Sequence, residues 1–117
     1  MDQQEMKKRT KEYAKRILKL CRALPETREE RLIGDQLFRA GTSVGANYRS
    51  ACRARSKADF VAKLGIVLEE ADESLYWLEI VSETNFLNSN SLKPLIMEGN
   101  QIVAILVSSI NTAKRSK

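Results

Sequence analysis

The 117-residue chain contains no histidine. That removes the commonest general base, the commonest transition-metal ligand and every His-dependent triad at once. Two cysteines, Cys21 and Cys52, stand apart without CxxC spacing, so nothing asks for a disulfide or a zinc site. They read as small apolar packing residues of a reducing compartment. Only two prolines and five glycines interrupt the chain, and aromatic residues make up 6% of it. No apolar run approaches the roughly 20 residues needed to span a bilayer. The N-terminus offers Asp2 and Glu5 ahead of Lys7-Lys8-Arg9 rather than an apolar signal segment. A cytoplasmic helical protein, without metal or other cofactor, is the expectation.

What the chain has is charge, 30% of its residues, unevenly placed. The net charge is +5 and the isoelectric point about 9.4. Basic residues gather between Lys7 and Arg22, again at Arg49, Arg53, Arg55 and Lys57, and at the end in Lys114, Arg115 and Lys117. Acidic residues gather in Glu69, Glu70, Asp72, Glu73, Glu79 and Glu83. A polarised surface of this kind suits an anionic partner, or pairing between copies of the chain.

Hydrophobic spacing divides the chain into four amphipathic helices, at about 6–24, 28–53, 57–87 and 92–114. Tyr13, Ile17, Leu20 and Leu24 trace the first seam, which Leu24-Pro25 ends by forcing an extended backbone. Thr27 with Glu30, and Ser56 with Asp59, are capping-box starts for the second and third helices. The third is apolar far beyond one stripe, placing it centrally or against another subunit. The last begins near Ser91 with Pro94 in its first turn, after an Asn88–Ser91 loop. Four such helices with short connections predict one domain over 1–117, an all-α antiparallel four-helix bundle. Gly41 and Gly45 each cost a helix about 1 kcal/mol against alanine. On one helical face they make a smooth surface for close approach of a neighbour; the alternative is that one of them ends a helix.

Several ordered segments carry a resemblance. They are Leu24-Pro25, Gly34-Asp35-Gln36-Leu37-Phe38-Arg39-Ala40, Ser43-Val44-Gly45-Ala46-Asn47, Arg55-Ser56-Lys57-Ala58-Asp59-Phe60 and Glu73-Ser74-Leu75-Tyr76-Trp77-Leu78-Glu79. Together they resemble the 23S rRNA intervening-sequence, or S23, proteins of bacteria over nearly the whole chain. The resemblance implies a four-helix bundle assembling as a ring, typically a pentamer, and no catalytic residues. A similar bundle serves diversity-generating retroelements as an accessory protein that binds nucleic acid and the reverse transcriptase. Family members often carry proline where this chain has Gly45, so its second helix is expected to be less kinked there.

Two basic sets are candidate nucleic-acid contacts. Arg49 and Arg53 share a face, and with Arg55 and Lys57 they straddle the start of the third helix, where free N–H groups favour phosphate. Lys8, Lys11, Lys15, Lys19 and Arg22 fall at helical spacing as a stripe able to follow phosphates without reading sequence. Glu69 and Glu73 share a face, but metal-binding bundles of that kind pair glutamate with histidine, which is absent. The expectation is a non-enzymatic accessory protein binding RNA or DNA phosphates through these surfaces. The alternative is a protein-interaction scaffold whose basic and acidic faces serve self-assembly or a protein partner.

Overall fold

A computed structural model describes residues 1–84, 87 and 89–116. Among these the chain forms four α-helices and no strand: α1 (Gln3–Ala23), α2 (Arg28–Ala51), α3 (Lys57–Glu83) and α4 (Ser89–Arg115). Helices adjacent in sequence pack side by side, while α1 and α4 close the bundle along a thinner seam. The result is a rod, 50 × 22 × 19 Å.

The helix ends depart from the spacing-based expectations in instructive ways. α1 starts at Gln3 rather than residue 6, because Asp2 caps it, its carboxylate accepting the Glu5 N–H at 2.8 Å. The α1 stop at Ala23 is as the proline demands, with Leu24 extended at φ −69° and ψ 143°. Thr27 is the cap residue of α2 but makes no side-chain bond, so the proposed capping box with Glu30 does not close. Ser56 does cap α3, its hydroxyl accepting the Asp59 N–H at 3.0 Å. Asp59 reaches back one residue further than a capping box requires, accepting the Arg55 N–H at 3.2 Å. α2 stops two residues earlier than expected, at Ala51. α3 ends at Glu83 rather than 87, where Thr84 turns its N–H onto the Ile80 carbonyl. α4 begins at Ser89, so Pro94 is the sixth helical residue and not part of the first turn. Expectations resting on Phe86, Asn88 and Lys117 lie outside the described residues.

Glycine sets how α1 and α2 meet. A β-carbon built on Gly41 would stand 2.7 Å from Ile17 Cγ1, and one on Gly34 would stand 3.1 Å from Leu24 Cδ1. On Gly45 it would meet the Thr10 carbonyl oxygen at 3.2 Å, so here the two helices touch through their backbones. α2 therefore runs unbroken through both glycines of the small-residue stretch, and neither ends it. The falling residue numbers opposite a rising α1 also establish that the pair is antiparallel.

The core is one cluster that draws on every helix, with Tyr13 and Ile17, Leu37 and Val44, Leu64 and Leu78, Ile102 and Leu106 fully enclosed. One polar chain crosses it. Ser74 donates its hydroxyl to the Ala71 carbonyl at 2.7 Å, which leaves its oxygen to accept from the Tyr13 hydroxyl at 2.8 Å. Burial pushes the Tyr13 pKa up to about 12. The tyrosine fits because Gly99 leaves room: a β-carbon there would stand 2.8 Å from its hydroxyl. Across the thin seam, Arg9 grips Glu98 through two 2.7 Å bonds and also reaches Gln101.

Candidate nucleic-acid interface

Where α1 and α2 approach through Gly45, their side chains diverge above a floor of small residues. Ala14 comes from α1 and Thr42, Gly45 and Ala46 from α2. The walls of this groove of about 590 Å³ are cationic: Lys7, Lys8 and Lys11 on one side, Arg49 and Arg53 on the other. Gln4 completes its rim, and none of the lining residues is acidic. Helical spacing explains each wall. Residues 4, 7, 8, 11 and 14 share one face of α1, as 42, 45, 46 and 49 share one face of α2, and Arg53 follows in the turn just after Ala51.

The two basic sets, separate in sequence, thus converge in part. Lys8 and Lys11 stand opposite Arg49 and Arg53. The rest of the α1 stripe does not join them. Lys15 pairs with Glu12 at 3.2 Å in solvent, and Lys19 and Arg22 lie exposed further along the helix. Arg55 sits in the turn between α2 and α3 and lines neither this groove nor its neighbour. Lys57 faces away into a second cleft lined by the ends of all four helices. Lys7 was not among the expected contacts. Its i, i+4 relation to Lys11 is the signal in the sequence, one residue off the Lys8 stripe.

The acidic residues are arranged differently. Glu69, Glu73 and the partly enclosed Glu70 lie on α3, and mutual repulsion with Glu73 adds to burial in raising the Glu70 pKa. Among the described residues no three acidic or cysteine side chains converge as a metal site. The same helix leaves Ile66 and Tyr76 about half exposed, 48% and 55%, beside Trp77. Tyr76 and Trp77 meet edge to face at 5.0 Å. No helix among the described residues is long and apolar enough to cross a membrane.

These features define a class: an antiparallel four-helix bundle with a carboxylate-free cationic groove between its first two helices. Within that class the chain belongs to the 23S rRNA-intervening sequence protein family, whose pattern matches residues 2–108. It is similar to a crystallised protein of unknown function from the S23 ribosomal protein family of Bacteroides thetaiotaomicron VPI-5482. The two are 36% identical, the match covers 95% of this chain and 99% of that one, and the TM-score is 0.87. No curated protein matches the chain.

Proposed function

We propose that this protein is a non-enzymatic, cytoplasmic accessory protein that binds nucleic acid through the groove between α1 and α2. The observation that carries the reading is the convergence of Lys7, Lys8, Lys11, Arg49 and Arg53 around a floor without a carboxylate. Five cations held together repel one another, and a phosphate chain relieves that repulsion while releasing its own counterions. The groove lacks an aromatic residue, so it grips the backbone and leaves sequence unread. The working form is a ring of identical subunits, a pentamer by resemblance to the family. The exposed Ile66 and Tyr76 of α3, with the partly buried Trp77 and the acidic residues beside them, are the surface for that assembly.

The test is binding of labelled RNA and duplex DNA over a salt series, with particle mass followed by light scattering. If all five cations meet phosphates, log K falls against log salt with a slope of about −4 per protomer. Arg49→Ala with Arg53→Ala should flatten that slope and weaken binding without changing the mass. Absence of binding at low salt would sink the reading.

The apolar and acidic face of α3 favours a second reading, a scaffold that docks a basic protein partner. On that reading, Glu69→Lys with Glu73→Lys abolishes partner capture or assembly, and the groove variants behave as wild type.

A further inference from the structure

A second cleft opens at the same end of the bundle, separated from the basic groove only by the first turn of α1. Gln3 faces this cleft and Gln4 faces the groove. Its volume, about 910 Å³, falls within the range of sites that enclose small organic groups, roughly 300–1,000 Å³. The lining differs in kind from that of the groove. Among the described residues Lys57 is its one charged side chain, and no Asp or Glu lines it. The half-buried Phe60 and Ile105 give it an apolar side. Next to Ile105 on the same face of α4 lie the hydroxyls of Ser108, Ser109 and Thr112, across from Phe60 of α3.

We infer that this cleft receives an unpaired nucleotide of the strand whose phosphates occupy the neighbouring groove, so that the protein prefers single-stranded nucleic acid to duplex. The inference rests on the phosphate-binding reading of the groove. One helical turn, about 10–12 Å across, is all that a strand must pass to leave one cleft and enter the other. An aromatic face beside hydroxyl groups is what an unstacked base and its sugar require. Lys57 meets the phosphate of the same nucleotide, since it is the one charged side chain among the described lining residues. In a duplex the bases are stacked and paired, and none can enter without extrusion. Duplex is therefore held by the groove alone, and single strands by both clefts.

The experiment compares a labelled single-stranded oligonucleotide with its duplex, on the full chain and three variants. Ser108→Phe fills the cleft from an exposed position and leaves the core alone. Phe60→Leu keeps apolar volume but removes the more exposed of the two lining rings, the other being the buried Tyr48. Either should cost single-strand affinity about tenfold, the order of one lost base–aromatic stack, while duplex affinity and its salt slope stay as in wild type. Arg49→Ala with Arg53→Ala should weaken both ligands and flatten both slopes. Unchanged single-strand binding in Ser108→Phe, with the arginine variant impaired, overturns the cleft assignment and leaves the groove standing. An unimpaired arginine variant removes the groove reading and this inference together. A change in particle mass in Ser108→Phe assigns the cleft to assembly and also overturns it.

Discussion

Gly41→Ala and Gly65→Ala are the same chemical change in two helices, and their predicted effects have opposite sign. Each gains about 1 kcal/mol of helix propensity, because alanine gives up less backbone freedom on folding. At Gly65 nothing stands within 4 Å of the new methyl, so the gain is kept. At Gly41 the methyl would lie 2.7 and 2.8 Å from the two γ-carbons of Ile17 and 3.1 Å from its β-carbon. Ile17 is fully buried, and a β-branched side chain in a helix has essentially one rotamer, so it cannot swing aside. The helices must separate instead, in an interior packed as densely as a crystal. Overpacking of this kind costs about 1–3 kcal/mol. Gly41→Ala should therefore end about 1 kcal/mol less stable than wild type, and about 2 kcal/mol below Gly65→Ala.

Because the propensity gain is common to both, the gap between the variants isolates the packing cost. Thermal melts by circular dichroism, at one protein concentration, read it directly. For a chain of this size 1 kcal/mol moves Tm by about 4 °C, so the two variants should straddle wild type about 8 °C apart. Urea titrations should shift the midpoint with little change in slope. A Gly41→Ala protein as stabilised as Gly65→Ala would refute the view that α1 and α2 meet through glycine.

Three further outcomes follow from the same structure. Folding holds the Tyr13 proton more tightly than the usual value near 10, with the folded value pushed up to about 12. Its contribution is thus whole below pH about 10 and is lost as pH rises towards about 12. Tyr13→Phe should lessen that alkaline loss in pH-dependent urea melts, the remainder coming from Tyr48 and the Cys21 thiol, both of which burial also raises. Arg9→Lys removes the two-bond grip on Glu98 that pins α1 to α4. It should cost about 1 kcal/mol in urea denaturation at low salt, and less at high salt. Finally, the clustered cations of the groove predict that moderate salt raises Tm, and that Arg49→Ala with Arg53→Ala reduces this rise.

What the sequence made legible was whatever depends on one helix or on local breaks between helices. Pro25 stops α1 through its own ring, and Ser56 caps α3 through its own hydroxyl, so both show in the order of residues. The contact face of Gly41 and Gly45 was also legible, since helical spacing alone puts them together. The early start of α1 is signalled by Asp2-x-x-Glu5, a capping pattern that lies outside the apolar seam. The Ser and Asn residues before Pro94 carry loop composition, yet α4 takes in those after Asn88; local propensity did not decide the outcome there. Thr27 and Glu30 match a capping pattern but leave it open, with Glu30 Oε2 buried and unpaired. The groove was only half legible. Periodicity found Lys8 and Lys11, and separately Arg49 and Arg53. It could not show which part of α1 lies opposite the end of α2, because that register is set by glycine contacts between helices. Lys15, Lys19 and Arg22 satisfy the same periodicity and fall outside the groove for that reason alone. The second cleft depends on how the ends of four helices come together, which no single-helix pattern encodes.

The antiparallel order has an electrostatic consequence that bears on both clefts. The ends of α2 and α4 and the starts of α1 and α3 share one pole of the rod. Two helix starts and two helix ends meet there, so their backbone dipoles oppose one another and largely cancel. The field at that pole is left to side chains, and these are mainly cationic: Lys7, Lys8 and Lys11, then Arg49, Arg53 and Arg55, with Lys57, Lys114 and Arg115. Glu5 in the first turn of α1 is an exposed acid at the same pole, and the two aspartates nearby are engaged locally. Asp2 caps α1, and Asp59 accepts from Arg55 and pairs with Lys63 at 3.1 Å. Glu79 and Glu83 of α3, with Glu26 and Glu29 beside the start of α2, lie towards the opposite pole. A rod charged in this way turns one end towards a polyanion before any contact forms, and both clefts open at that end. The stripe along the flank of α1 would by itself have favoured a side-on approach. Pairing Lys15 with Glu12 weakens that flank, while the pole keeps its cations together, so an end-on approach is the one this charge distribution supports.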